Sequence, residues 1–174
     1  MKLKTMFCAL ALTVVGVAAK AEDFNQSFAL TANLATPGDY SAGWGVTHSA
    51  AGAFTDTITF TGTTSGWVNS LLSTLALGAA SDINFTSVSL NGNAYTLESM
   101  GSWSLATLPV TSVTGPLTLT VSGIAAPTLA AGTAIAASYS GTVNVTAVPE
   151  PESAVLLLAG LGIVGLLGRR RIAR

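Results

Sequence analysis

From Glu22 to Val148 the chain carries no lysine and no arginine. Across those 127 positions it has 21 threonines and 16 serines, so hydroxyls stand where charged side chains usually meet water. Surface helices are normally built from Lys, Glu and Arg, whereas Thr favours a pleated surface. The stretch is therefore predicted to be β-rich. Its six carboxylates, Glu22, Asp23, Asp39, Asp56, Asp82 and Glu98, have no basic partner within it and give it a charge of −6. A segment without a cationic side chain cannot neutralise phosphates, which excludes nucleic acid as a partner. The net charge of −1 for the whole chain hides this segregation, because residues 1–21 carry +3 and residues 149–174 carry +2.

Period-two patterning supports strands and frequent turns cut them short. In 54–60, Phe54, Ile58 and Phe60 share a face with Asp56, opposite Thr55, Thr57 and Thr59. Leu117, Leu119 and Val121 alternate with Thr118 and Thr120, and Ala137, Tyr139, Val143 and Val145 alternate with Ser138, Thr142 and Asn144. Asn91-Gly92 lies between Val88/Leu90 and Tyr95/Leu97, and both residues tolerate the positive φ of a two-residue hairpin turn. Segment 66–76 fits two readings. Val68, Leu71, Leu72 and Leu75 have helical spacing, while Trp67, Leu71, Leu75 and Leu77 share a strand face, and the strand is preferred. The expected fold is all-β, an antiparallel sandwich-like domain over 22–147, flanked by an N-terminal signal helix and a single C-terminal transmembrane helix.

The ends read as addresses. Lys2 and Lys4 precede an apolar run from Met6 to Ala18, followed by Ala19-Lys20-Ala21 with small residues at the −3 and −1 positions of a cleavage site. Residues 1–21 are thus expected to be a signal peptide, removed by signal peptidase to leave Glu22 first. The only cysteine, Cys8, lies in that leader, so the exported chain can form no disulfide. At the other end, Pro149-Glu150-Pro151 is followed by an uncharged stretch, 154–168, and by Arg169-Arg170-Arg171. The arginines hold the C-terminus in the cytoplasm, which places the central domain outside it, in agreement with the leader. The apolar helix, roughly 22 Å long, is short for a permanent anchor.

Residues 148–174 resemble the PEP-CTERM sorting signal of Gram-negative bacteria, in which a Pro-Glu-Pro motif precedes a short transmembrane helix and a basic cluster. The resemblance implies processing by an exosortase, transient membrane attachment through the helix, and delivery to the cell surface or medium of species that make exopolysaccharide and biofilm matrix. Pro149, Glu150 and Pro151 would then be recognised by another enzyme. The segment Phe54-Thr55-Asp56-Thr57-Ile58-Thr59-Phe60 resembles the FxDxF subfamily of such proteins, with Phe54 and Asp56 matching and Ile58 or Phe60 standing for the second named phenylalanine. That resemblance implies no activity and no cofactor.

Catalytic signals are sparse. Asp56, on an apolar strand face without Arg or Lys to pair with, is expected to accept backbone N–H or hydroxyl hydrogen bonds, with a Ca²⁺ ligand as the lesser reading. His48 is the only histidine, is accompanied by no nucleophile motif, and reads as a solvated loop residue. Multi-ligand His/Cys metal sites cannot be built, and no phosphate-binding glycine motif occurs. Trp67 and Trp103 read as core residues, whereas Gly43-Trp44-Gly45 beside Tyr40 reads as a loop, making Trp44 the candidate for stacking on a sugar. The function expected is a non-enzymatic exported surface or matrix protein. Its alternatives are a carbohydrate-binding module for exopolysaccharide and a tail-anchored periplasmic domain.

Overall fold

A computed structural model describes residues 20–62, 65–146 and 155–164. The strands are β1 (Asn25–Ala29), β2 (Thr31–Ala32), β3 (Asp39–Ala50), β4 (Gly52–Thr61), β5 (Ser65–Leu75), β6 (Ile83–Leu90), β7 (Asn93–Ala94), β8 (Thr96–Met100), β9 (Trp103–Thr114), β10 (Leu117–Ala125) and β11 (Ala134–Thr146). One 3₁₀ turn, Ala79–Ser81, interrupts them. They form a five-stranded sheet in the order β1-β4-β10-β6-β7 and a six-stranded sheet in the order β2-β3-β11-β5-β9-β8.

The two sheets pack face to face as a sandwich, because each strand alternates an apolar side with a Ser/Thr side and the apolar sides can only meet one another. Phe54, Ile58 and Phe60 from β4 and Leu117, Leu119 and Val121 from β10 meet Val46, Leu72, Val143 and Val145 from the other sheet in one buried cluster. Rings lock the layers together across the gap. Trp44 meets Phe60 edge-on at 6.4 Å, and Tyr139 meets Phe85 edge-on at 5.5 Å.

Segment 66–76 is strand, and the preferred reading holds: in β5, Val68 and Leu72 point inward while Trp67, Leu71 and Leu75 face solvent. The Asn91-Gly92 turn is also present, with φ of 48° and 83°, and its hairpin closes with Leu90 opposite Asn93. One pairing departs from the antiparallel expectation. β1 runs parallel to β4, in register from Asn25 with Thr57 to Ala29 with Thr61. A hairpin forces neighbours to be antiparallel, but β1 reaches β4 only after the chain has crossed to β2 and β3 in the other sheet, and is free of that constraint.

Of the expected leader, only Lys20 and Ala21 are described; Ala19 lies outside the described residues. Ala21 belongs to the fold: it is buried, and its N–H donates to the Ala53 carbonyl at 3.1 Å. Pro149, Glu150, Pro151 and the cluster Arg169-Arg170-Arg171 also lie outside the described residues. Residues 155–164 are helical and exposed. Among the described residues no helix is long and apolar enough to cross a membrane.

Candidate functional site

The strand pattern that buries Phe54, Ile58 and Phe60 must also bury Asp56, which sits between them on the same face of β4. Its carboxylate has no contact with solvent. Such a group needs hydrogen-bond donors, and three elements supply contacts. Oδ1 accepts the backbone N–H of Phe24 at 2.9 Å. Oδ2 accepts the Tyr139 hydroxyl of β11 at 2.5 Å. Nε2 of His48, in β3, approaches the same Oδ2 at 3.1 Å, at ion-pair range but without the alignment of a hydrogen bond.

The expected role of Asp56 as acceptor of a backbone N–H and a hydroxyl is therefore realised. Together the bonds join the entering segment, β4 and β11 across the sandwich. A second carboxylate completes the seam: Asp23 accepts the Thr55 N–H at 2.7 Å, while the Phe24 carbonyl accepts the Thr57 N–H at 2.8 Å. The Tyr139 phenol is pushed far above its ordinary range, first by burial and then by the hydrogen bond and charge of Asp56. It stays protonated and acts as a donor.

His48 is not a loop residue. It lies in β3 with no exposed surface, its ring 4.1 Å from Phe54 and 5.3 Å from Phe24, and near-parallel to Tyr139 at 6.1 Å. The sequence signal was available: Ala42, Trp44, Val46 and His48 alternate with Ser41, Gly43, Gly45 and Thr47, and the first set faces the core.

The same alternation corrects Trp44, which is in a strand rather than a loop and is 6% exposed. A ring that stacks on a sugar must offer a face to solvent, and this one is held edge-on against Tyr139 at 5.6 Å. Room for it comes from Gly141, directly opposite in β11: a Cβ there would lie 2.8 Å from Trp44 Cζ2 and 2.6 Å from the Leu71 carbonyl oxygen. Gly123 does the same for Phe54, whose Cζ would be 2.7 Å from an added Cβ. Trp67 and Trp103 reverse the opposite expectation: both lie on the outer face of the six-stranded sheet, Trp67 half exposed in β5 and Trp103 partly exposed in β9 opposite Leu75.

The interior cluster thus holds the one histidine and a carboxylate at contact distance, with no opening to solvent. The exposed polar constellation is elsewhere, on the outer face of the six-stranded sheet, where Asp39, Asn69, Asn144 and Thr146 line a groove with Asn33 on its rim. Asp39 Oδ1 and Thr146 Oγ1 are 2.8 Å apart, and Asn144 Nδ2 donates to Asn69 Oδ1 at 3.0 Å.

Immediately beyond β11, residues 147–171 match the family model of the PEP-CTERM protein-sorting motif. Among curated proteins none matches the chain. The motif is the recognition signal for exosortase processing, so the molecule is an exported protein sorted through its C-terminal segment. The sandwich is the cargo and the tail its address.

Proposed function

We propose that the sandwich is a non-enzymatic component of the cell surface or of an exopolysaccharide matrix, delivered by the leader over 1–21 and released or attached when an exosortase acts at Pro149-Glu150-Pro151. The observation that carries this reading is the order of parts: a closed β domain whose last strand ends at Thr146, followed directly by a sorting motif over 147–171. Two further features favour a structural role. The sole histidine and its carboxylate partner are sealed in the core, where substrate cannot reach them. The likeness to the FxDxF subfamily gains a physical reason, since Phe54 and Asp56 are the ring and the acceptor around which the two sheets are tied.

The test is the intact mass of the protein recovered from medium and membrane of an exosortase-bearing host. Sorting predicts a chain ending between Pro149 and Ser153, with or without an added group, and its loss when Pro149-Glu150-Pro151 is replaced by alanines. A chain that keeps Arg174 and stays in the membrane fraction would make this a tail-anchored periplasmic domain.

A further inference from the structure

The two sheets present different faces to water. On the five-stranded sheet, Thr55, Thr57 and Thr59 of β4 stand beside Ser122, Thr120 and Thr118 of β10, and none of its described strands exposes a large apolar side chain. On the six-stranded sheet, Trp67, Leu71 and Leu75 run along β5 at 50%, 43% and 60% exposure, with Trp103 of β9 opposite Leu75. Beside Trp67, in one row across the strands, stand Thr146 of β11 and Asp39 of β3. The next row on the same face is Asn69, Asn144 and Ser41.

Within these rows the Asp39–Thr146 and Asn69–Asn144 pairs each use one polar atom per residue. That leaves Asp39 Oδ2, Asn69 Nδ2 and Asn144 Oδ1 with no protein partner among the described residues. They border a groove of about 280 Å³. Asn69 and Asn144 also line an adjoining depression of about 400 Å³ with Leu71 and Thr107. A third, of about 390 Å³, continues along the face between Gly45, Ser73 and Ser138. From the level of Trp67 to that of Leu75 the strip extends roughly 27 Å at the usual rise of a strand.

We propose that this face binds an extended neutral polysaccharide chain. Sugar hydroxyls both donate and accept, as the free amide N–H, amide carbonyl and carboxylate oxygen require, and the apolar ring faces of a sugar suit a half-exposed indole and leucines. Charge selects the class. The described surface beyond Lys20 bears no cation, so sulfated, phosphorylated or uronate polymers would meet Asp39 and Glu98 without compensation. A second copy of the chain fits less well, because Asn69 interrupts the apolar line between Trp67 and Leu71. Pressing unpaired amides into an apolar contact costs free energy that sugar hydroxyls would not. The inference names a partner for the matrix role proposed above, but it rests on the sheet face and not on the tail; binding and processing therefore fail separately.

The experiment applies the full chain, in a mild non-ionic detergent, to an array of α- and β-glucans, mannans and galactans beside polyuronates and sulfated glycans. The expected result is retention on at least one neutral class. It should weaken about tenfold or more in Trp67→Ala and in the Asn69→Ala/Asn144→Ala double variant, and stay unchanged in Thr120→Ala on the opposite sheet. These positions are at the surface, and an unaltered melting temperature verifies that each variant folds. Retention on no neutral glycan, retention confined to acidic ones, or equal retention by both variants would overturn the proposal. So would a dimer in sedimentation that Trp67→Ala dissociates while no glycan is held, which would give the face to a second copy.

Discussion

Asp56 and Asp39 are carboxylates on strands of one small domain, each hydrogen-bonded to a hydroxyl from β11, yet they have opposite standing. Asp56 faces inward, shares its oxygens between the Phe24 N–H and the Tyr139 hydroxyl, and touches His48 out of reach of bulk solvent. Asp39 faces outward and meets Thr146 at an exposed contact. A buried polar group forfeits its hydration whether or not its partners stay, so removing one partner exposes the full penalty; at the surface water takes the empty place. The first cluster should therefore govern stability and the second recognition.

The largest effect is expected from Asp56→Ala. It leaves the buried Tyr139 hydroxyl and His48, and the partly buried Phe24 N–H, without the carboxylate, and should cost about 3–5 kcal/mol, read from the urea midpoint at unchanged slope. A loss no greater than that of Asp39→Ala would mean that the inner cluster is not what ties the sheets. Gly141→Ala comes next, at about 1–3 kcal/mol, since its Cβ must displace both the Trp44 ring and the Leu71 carbonyl. Trp44→Phe should recover part of that loss in the double variant, and strict additivity would argue against the ring contact.

Tyr95 sharpens the contrast from a third side. Its hydroxyl is buried without an aligned partner, and burial pushes the phenol up to about 12, with the Ser70 hydroxyl pulling weakly the other way. Between pH 10 and 12 the unfolded chain has lost this proton while the folded one still holds it, so stability falls as pH rises through that window. Tyr95 should account for roughly 2–3 kcal/mol of that loss, so the same titration of Tyr95→Phe should be shallower by that amount while the fall due to Tyr139 remains.

A smaller effect concerns the seam that Asp56 helps to hold. A mature chain beginning at Glu22 lacks buried Ala21 and its bond to Ala53, and should be about 1 kcal/mol less stable than one beginning at Lys20, measured by thermal unfolding. The smallest is Asp39→Ala itself, within about 0.5 kcal/mol of the parent in urea.

Much of this architecture was legible in the chain. Alternation in 54–60, 117–121 and 137–145 showed which side of each strand is buried, because the pleat leaves a strand only two faces. The Asn91-Gly92 turn was readable from local conformational preference, and the sorting tail from the order of its parts. The misplaced residues are those where side-chain type, or the look of the flanking residues, disagrees with strand parity. Trp44 and His48 sit among glycines and serines that look like a loop, yet they share the inward face of β3 with Ala42 and Val46, and β11 pairs alongside. Trp67 looked like core because it is large and apolar, but its parity in β5 sends it outward.

At 12, 11, 12 and 13 residues, β3, β5, β9 and β11 run longer than the short strands expected. The linear chain alone nonetheless dictates that the domain is built of alternating strands, that its surface is hydroxyl rather than charged, and that its C-terminal segment carries a sorting motif. These follow from composition, period-two patterning and contiguous motifs, all of which a linear chain displays. Only the tertiary structure brought Asp56 of β4, His48 of β3 and Tyr139 of β11 to one point, set β1 parallel to β4, and placed Asn69 beside Asn144 on an open face. Those outcomes depend on strand order and register between segments far apart in the chain, 83 residues in the Asp56–Tyr139 bond and 75 in the Asn69–Asn144 bond, and no local preference encodes them.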